Sequence, residues 1–204
     1  MKKYFITACA VTLSLILSPV ISVNTLRYIQ TKSEMQYVEY TARDGEKITV
    51  ELNSFIAGSV ASVMPGKYEP EALKAQAVCI RTYLFYLKSR NEAVTYEKIS
   101  YNSDETDEKI TECVNSTSGV QVYYKDSPAM TLSHALNNGK TTAMEGFPYL
   151  TEVESSGDLL SPDESEEKAF HGMSRYGADF MARQGADFKE IILHYFPGTK
   201  IISE

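Results

Sequence analysis

Two helices separated by a Pro-Gly pair constrain this chain more than any other stretch. The segment reads FIAGSVASVMPGKYEPEALKAQAVCIRTY and spans residues 55–83. Because proline interrupts a helix and glycine favours its end, Pro65-Gly66 should end a first helix predicted over Leu52–Met64. A second helix should begin at Pro70, a favoured first-turn residue, and extend to about Arg90. Small residues would let another element approach the first helix closely: Ala57, Gly58, Ala61 and Ser62.

The other elements are predicted to be short and mixed. Residues alternate around Asp44-Gly45, which favours a hairpin within 37–52, and a second hairpin is predicted over 120–134 with its turn at Lys125–Pro128. Further helices are predicted over Asp107–Thr117, Ser174–Gln184 and Asp187–Tyr195, and a short strand over Tyr149–Glu154. These elements predict an α+β fold, a single compact domain of helices packed with short antiparallel β hairpins.

An apolar run precedes this domain. Lys2 and Lys3 stand before an uncharged stretch, Tyr4–Val23, which as a helix would just cross a bilayer of roughly 30 Å. Its length favours an N-terminal hydrophobic helix that remains as a signal anchor, and a signal peptide cut near Val20-Ile21-Ser22 is the alternative. The predicted organisation is therefore anchor or signal peptide over 1–24, a stalk over 25–36 and a folded domain over 37–204. The domain would be membrane-anchored and extracytoplasmic, or secreted if the run is cleaved.

The charge of the exported part argues against one class of partner. The whole chain has a net charge of −7, and four basic residues and no acidic ones lie in the first 33 positions, so the remainder carries −11. A surface with this charge repels phosphate backbones, which disfavours nucleic-acid binding.

Two cysteines, Cys79 and Cys113, lie in the exported part. An extracytoplasmic location would permit a disulfide between them. Both occupy apolar helical positions, however, which favours two buried free thiols.

No metal, cofactor or common catalytic motif is evident. The chain has no Cys-x-x-Cys pair, no histidine pair at metal spacing, no Gly-x-Ser-x-Gly elbow and no phosphate loop, so no metal site and no cofactor are predicted. Of three scattered histidines, His134 opens the loop HALNNGKTT. That loop could present Asn137, Asn138, Lys140 and Thr141 to a sugar or peptide, or be an ordinary polar loop.

Four motifs resemble the SpoIID/LytB domain family, the stage II sporulation protein D group. The segment of residues 52–85 resembles the family's opening pair of helices, and Glu71–Tyr83 is nearly intact. SHALNNGKT is similar to the family's His-containing loop, and FPYLTEVES to its Pro-Tyr-Leu segment. The C-terminal GMSRYGADF and YFPGTKI match the family's Gly-Met-Ser signature and its ending. The resemblance extends over most of the chain after about residue 45.

The resemblance implies a specific loss of function. Catalytic members are lytic transglycosylases, which cleave peptidoglycan glycan strands with a glutamate that precedes Met-Pro and acts as acid and base. Alignment of Met64-Pro65 places Val63 at that glutamate. Because an aliphatic side chain cannot transfer a proton, no catalytic residue is predicted. The helix should display Val63 where an acid would face the substrate.

Other family features are also missing or retained. The chain lacks three features of the family: the zinc-binding Cys/His stretch of some members, the long β-rich segment before Gly-Met-Ser and the Gly-His-Gly motif. His171 is close to the position of that last motif but does not align with its histidine. Gln76 and Arg81 match the family, either as site residues or as residues that hold helices together by hydrogen bonds. The matching motifs imply these substrate-binding candidates: Gln76, Arg81, His134, Asn138, Gly139, Lys140, Thr141 and Ser174.

Three hypotheses follow. In the first, the protein is a non-catalytic member that binds peptidoglycan glycan strands or a sporulation or cell-wall hydrolase protein. In the second, it is an active lytic transglycosylase with a relocated acid, Glu69 or Glu145. In the third, it is a scaffold that contacts another sporulation membrane protein through its helices.

Overall fold

A computed structural model describes residues 36–64, 66–161 and 170–203. The apolar run and most of the stalk lie outside these residues, so the predicted N-terminal helix does too. Within the described ranges, no helix combines the length and apolar character needed to cross a membrane. Residues from Val38 onward belong to one unit by their contacts.

Within the residues that the structure describes there are five α-helices, and each was predicted. They are α1 (Leu52–Val63), α2 (Pro70–Ser89), α3 (Glu108–Ser116), α4 (Arg175–Arg183) and α5 (Phe188–Tyr195). A short 3-10 helix, Ser156–Leu160, was not predicted. The helices form where expected because their ends carry local signals.

Side chains cap four of these helices at their N-termini. Glu51 accepts from the Ser54 N–H at the start of α1, and Asp107 accepts from the Ile110 N–H at the start of α3. Asp187 and Glu190 form a reciprocal capping box on α5. Ser174 accepts from the Gly177 N–H at the start of α4, whereas α2 has no side-chain cap and begins with proline at its first position. Each carboxylate satisfies backbone donors that no carbonyl within the helix can reach.

In the described part of the chain, eight short strands form three small sheets. β1 (Tyr37–Thr41) lies between β2 (Lys47–Glu51) and β3 (Val94–Thr95). β4 (Val120–Tyr124) lies between β5 (Ser127–Pro128) and β8 (Lys200–Ser203). β6 (Ser133–His134) pairs with β7 (Met173–Ser174). The α+β class is confirmed.

The pairing differs from the predicted set of antiparallel hairpins. β1 pairs with β3, and β6 with β7, in parallel. The second hairpin turns as predicted between β4 and β5, but residues 133–134 leave it for β7. The predicted strand at Tyr149–Glu154 is only a single bridge between Lys140 and Glu154. A parallel pair joins segments that lie far apart in sequence, so local alternation could not reveal these partners.

Helix α2 is the centre of the core. It packs against α1, α3, α4, α5 and β4. Its apolar residues Leu73, Ala77, Ile80, Leu84 and Leu87 are buried, and so are three polar residues, Gln76, Arg81 and Thr82. The buried polar side chains of such a helix need specific hydrogen-bond partners. The polar residues of α2 are therefore important for the candidate site.

The cysteines on α2 and α3 are buried free thiols, as the helical pattern favoured. Cys79 and Cys113 form no disulfide. Burial raises the pKa of both thiols. They therefore act as small core side chains on α2 and α3 rather than as reactive groups.

Gly58 shows what lies against the small residues of α1. A Cβ at this position would stand 2.5 Å from the Tyr101 ring and 3.2 Å from the Asn102 carbonyl oxygen. The Asn102 N–H also donates to the Gly58 carbonyl at 3.2 Å. Tyr101 in turn stacks on Phe55 at a ring-centroid distance of 5.0 Å. Glycine is therefore required for this loop to contact the helix backbone.

Gly58→Val is expected to lower the free energy of unfolding by about 2 kcal/mol, because the new methyl groups overlap an aromatic ring held by other rings. Urea unfolding followed by circular dichroism measures this change. Ser54→Val, at the N-terminal end of the same helix, is the comparison for the effect of a β-branched residue. An equal loss in both variants would show that Tyr101 moves away at no cost.

Candidate functional site

A cleft of about 170 Å³ lies beside the C-terminal end of α1. Val63, the last residue of that helix, is half-buried and lines it. The other lining residues come from α1, α2, two loops, β6 and the start of α4: Ser59, Gln76, Ile80, Tyr83, Lys98, Ile99, Ser100, Thr131, Leu132, Ser133 and Arg175. The residue aligned with the family's glutamate therefore faces a cavity.

The helical spacing explains how the two helices contribute. Ser59 and Val63 are four residues apart on α1, and Gln76, Ile80 and Tyr83 follow a similar spacing on α2. Residues at these intervals share one face of a helix. Val63 and Gln76, both predicted from motifs, are brought together. Ser59 could have been found by the same periodicity, whereas the loop residues required the tertiary fold.

The charged residues of the cleft are cations. Lys98 and Arg175 line it, and no carboxylate from residues 36–64, 66–161 or 170–203 does. The Lys98 ammonium donates to the Glu92 carboxylate at 2.9 Å and to the Ala93 carbonyl at 3.1 Å. The cleft thus presents hydroxyl, amide and ammonium groups beside aliphatic side chains. None of the described residues places a carboxylic acid in it.

Two buried polar atoms of the cleft have no protein partner. Gln76 is 3 % exposed, and its Nε2 donates to the Ser133 hydroxyl at 3.0 Å while its Oε1 has no hydrogen bond. Ser59 is 1 % exposed, and its hydroxyl is likewise unpartnered within the described chain. A buried polar group left unpaired costs about 1–3 kcal/mol. Such atoms are exceptional in a folded protein, and both of these residues line one cavity.

The acids considered as replacements lie elsewhere. Glu69 is the residue before α2, where its backbone N–H donates to Asp179 at 2.7 Å. Glu145 is exposed in the loop before Phe147. Neither lines the cleft. In the described part of the chain, no group of three or more His, Cys, Asp or Glu side chains is arranged to hold a metal ion.

Arg81, the other α2 candidate, is buried away from the cleft. Its guanidinium donates to the carbonyls of Thr117 at 2.7 Å and Val114 at 3.3 Å, and to the Asn53 side chain at 3.4 Å. Two of these acceptors lie at the C-terminal end of α3, where the helix dipole favours a cation. Burial lowers the pKa of Arg81 to about 10, so it stays charged at neutral pH. Its contacts hold helices together.

His134 is also buried, and its ring is held on both sides. Its Nδ1–H donates to the His171 carbonyl at 3.3 Å, and its Nε2 accepts from the Asn137 amide at 3.2 Å. Burial lowers the pKa of His134 from 6.5 to about 4. The imidazole is therefore neutral at physiological pH and joins the loop to the residue before Gly-Met-Ser.

This histidine should make the fold sensitive to acid. Its pKa is depressed in the folded state, so the unfolded chain binds the extra proton, and stability falls as pH drops from 6.5 towards 4. We expect a loss of about 1 kcal/mol per pH unit between pH 6 and pH 5. Asp158 acts in the opposite sense, because burial raises its pKa, so a variant of the histidine is needed to isolate the contribution of His134.

Urea unfolding at pH 7, 6 and 5 measures the slope. His134→Gln, which cannot titrate, should flatten it, and His194→Gln is the control because that histidine is less buried. An unchanged slope in His134→Gln would assign the acid sensitivity to other groups.

Hydrogen bonds hold the loop after His134 in place, and this loop does not line the cleft. Asn137 accepts from the Gly139 N–H at 2.8 Å, and Gly139 has a φ of +99°. Asn138 is exposed, as is Lys140, which pairs with Glu152 at 3.0 Å. Thr141 is buried and bridges the Thr151 carbonyl and the Val153 N–H, both at 2.9 Å.

Ser174 belongs to a buried network around an aspartate. Its hydroxyl donates to Asp158 at 2.7 Å and accepts from the Gly177 N–H at 3.0 Å, which caps α4. Ser155 donates to the other Asp158 oxygen at 2.5 Å and bonds the Tyr195 hydroxyl at 2.6 Å. Ser174 therefore joins the 3-10 helix to α4, and it does not line the cleft.

Comparisons of the chain with known proteins identify one family. Residues 42–124 match the family model described as stage II sporulation protein. Stage II sporulation protein D of Bacillus subtilis (strain 168) is 33% identical over 255 aligned positions, which cover 74% of this chain and 74% of that protein. Stage II sporulation protein D of Bacillus amyloliquefaciens is 31% identical over 140 positions, which cover 55% of this chain and 41% of that protein. The chain therefore belongs to the stage II sporulation protein D family.

Proposed function

We propose that this protein binds peptidoglycan glycan strands without cleaving them, as an extracytoplasmic protein anchored through its N-terminal apolar run. Membership of the stage II sporulation protein D family supports a function related to sporulation. The binding would serve wall remodelling, alone or beside a cell-wall hydrolase protein.

The observation that carries this proposal is the position of Val63. It lines the cleft, and no described carboxylate joins it there. A general acid must carry an ionisable proton within hydrogen-bond reach of the bond that breaks. The aliphatic side chain of Val63 carries no ionisable proton, although it lines the cleft.

The chemistry of the cleft supports a neutral, polar ligand. Hydroxyl groups of Ser59, Ser100 and Ser133 lie beside the Gln76 amide, and aliphatic side chains form part of the same surface. Sites with a few placed polar groups on an apolar surface suit sugars, whose rings offer both kinds of face. A nucleic-acid strand is disfavoured by the net charge of −7 of the chain.

Co-sedimentation of the full chain, purified in a detergent without a sugar headgroup, with cell-wall sacculi tests the proposal. We expect the protein in the pellet and no anhydro-sugar ends in the supernatant by mass spectrometry. Val63→Phe, which fills the cleft, should stay in solution, whereas Leu193→Phe, at an exposed position of α5, should sediment like the wild type.

Three results would contradict the proposal. Failure of the protein to sediment with sacculi would show that it does not bind glycan strands. Capture of a sporulation membrane protein instead would favour the scaffold hypothesis. Release of anhydro-muropeptides that is abolished by Glu69→Gln or Glu145→Gln would establish a relocated acid.

A further inference from the structure

We propose that a second pocket, between the N-terminal half of α1 and α3, binds a primary ammonium group. Within the proposed function, this group would come from a wall sugar that lacks its acetyl group or from an amine of a wall peptide. The pocket is separate from the cleft, so it can bind its ligand whether or not the cleft holds a glycan strand.

This ammonium pocket has a volume of about 430 Å³, compared with about 170 Å³ for the cleft. Helix α1 contributes to both cavities, because Ser54 and Ala57 line the pocket whereas Ser59 and Val63 line the cleft. The residues that line the pocket come from the end of β2, α1, the loop 101–106 and α3: Glu51, Asn53, Ser54, Ala57, Tyr101, Ser103, Thr106, Thr111, Val114 and Asn115.

The pocket presents hydrogen-bond acceptors, because the protein itself binds the hydrogens of two lining hydroxyl groups. The Ser54 hydroxyl donates to the Glu51 carboxylate at 3.0 Å, and the Thr111 hydroxyl donates to the Asp107 carbonyl at 2.9 Å. A hydroxyl oxygen whose hydrogen is already shared still has lone pairs, and an ionised carboxylate can only accept. An ammonium group, which has three donors and no acceptor, is complementary to such a lining.

Glu51 gives the pocket a negative charge. This residue is the N-cap of α1, and its Oε2 accepts from the Ser54 N–H at 2.7 Å. Partial burial raises the pKa of the Glu51 carboxyl, but the bonds from the Ser54 and Asn53 N–H groups lower that pKa by more, so Glu51 is ionised at neutral pH. Hydrogen bonds between an ammonium group and a carboxylate are stronger than those between neutral groups.

The surroundings of the pocket are acidic as well. Glu108 and Glu112 precede Thr111 and Asn115 by three residues on α3, so each lies on the same face of the helix as a lining residue. Among the described residues, no lysine or arginine lines the pocket. Lys109, on the same helix, donates instead to two carbonyls of the segment before α2. These charges attract a cation and repel an anion.

Arg81 is the cation on the other side of the pocket wall. Its guanidinium donates to the Asn53 side-chain oxygen at 3.4 Å and to carbonyls at the end of α3, and it does not line the pocket. The Asn53 amide in turn donates to the Asn115 side-chain oxygen at 3.4 Å. Asn53 therefore lies between the guanidinium and the cavity.

Thr106 adds a polar atom that lacks a partner. It lines the pocket, and its hydroxyl oxygen is buried with no hydrogen bond to any residue that the structure describes. Such atoms are exceptional in a folded protein, and a ligand that donates to this oxygen would satisfy it. Ala57, Val114 and Tyr101 line the same pocket and can contact the carbon atoms that carry the ammonium group.

NMR titration of the isotope-labelled full chain tests the pocket, in a detergent that has neither a sugar headgroup nor an ammonium group and at a slightly acidic pH that protonates both amines. The probes are glucosamine and Nα-acetyl-lysine amide, each compared with the same compound acetylated on its free amine. We expect the backbone amide signals of Ser103, Thr106 and Thr111 to shift with the amines. The amines should bind at least about tenfold more tightly than their acetylated forms, and the tighter of the two identifies the source of the group.

Asn115→Lys and Ser116→Lys form a matched pair of variants. Both positions are exposed on α3 and both substitutions add one positive charge, but of the two residues only Asn115 lines the pocket. Asn115→Lys should weaken the binding of the amines at least about tenfold, whereas Ser116→Lys should weaken it less than about threefold. Glu51→Gln keeps an acceptor for the Ser54 N–H without the charge and should also lose about tenfold. The thermal midpoint by circular dichroism shows whether each variant is folded.

The outcomes distinguish this proposal from strand binding in the cleft. Equal affinity for the amines and their acetylated forms would overturn the ammonium pocket, and so would equal losses in Asn115→Lys and Ser116→Lys, which would reduce the effect to net charge. Shifts at Val63 and Ser133 in place of those in the pocket would also overturn it. Val63→Phe, which fills the cleft, should leave amine binding unchanged. A protein that binds the amines in the pocket but does not sediment with sacculi would overturn strand binding alone.

Discussion

Val63→Glu is expected to give the protein glycan-cleaving activity, at a rate about 10²–10⁴-fold above the wild-type background. The side chain at position 63 lines the cleft, so a carboxyl group there would face the proposed ligand. Ile80 and Ile99 exclude water and favour the protonated acid, while Lys98 favours the ionised form. The resemblance implies a residue that acts first as acid and then as base, so both forms would be needed. Mass spectrometry of glycan strands incubated with each variant detects anhydro-sugar ends.

Val63→Gln is the matched control for this gain. It has nearly the shape of glutamate and no ionisable proton, so it should remain at the wild-type level. A Val63→Glu protein no more active than Val63→Gln, although both still bind sacculi, would contradict the expectation. The reaction would then require a further feature that this chain lacks, such as the β-rich segment before Gly-Met-Ser or the zinc-binding stretch.

Arg81→Leu is expected to lower the free energy of unfolding by roughly 3 kcal/mol, because it leaves several buried acceptors unpaired. Arg81 is 2 % exposed and donates to the carbonyls of Val114 and Thr117 and to Asn53. Leucine fills part of the volume and supplies no donor. The last turn of α3 would lose its cation, together with the link between α2 and α3. Urea unfolding followed by circular dichroism gives the change.

Arg90→Leu is the control, since that arginine follows the same helix and its side chain is 56% exposed. Its effect should stay within about 0.5 kcal/mol. Arg81→Lys should lie between the two, because an ammonium cannot reach all the acceptors that the planar fork contacts. A loss below about 1 kcal/mol in Arg81→Leu would mean that water replaces the guanidinium and that the position is not a structural centre.

The helices were predictable because their signals are local. Pro70 at the first position of α2, the Asp187 capping box and the Pro-Gly pair after α1 all act within a few residues. The parallel pairs β1–β3 and β6–β7 were not predicted, since each joins strands separated by other elements. Strands of two residues such as β3 are too short for an alternating pattern.

The candidate site also combines residues that the sequence predicted with residues that it did not. Val63 and Gln76 were singled out by their motifs and share the cleft, but His134, Thr141 and Ser174 are buried in hydrogen-bonded positions outside it. Their residue types suited either role, since a polar side chain can face a ligand or brace a loop. Lys98 and Ser100 had no sequence signal, and Arg175 lies in the GMSRYGADF motif but was not singled out, because a loop and the start of α4, far apart in the chain, bring the three together.

The sequence by itself determined the family and the α+β class, because these depend on residue identity and local order, and the resemblance predicted that Val63 stands where the family has an acid. Only the tertiary structure decided that Val63 faces a cavity, that Arg81 caps α3 and that Gln76 and Ser59 have unpartnered atoms beside it. Each of these facts depends on what surrounds a side chain, and the surroundings arise from the packing of helices and loops distant in sequence.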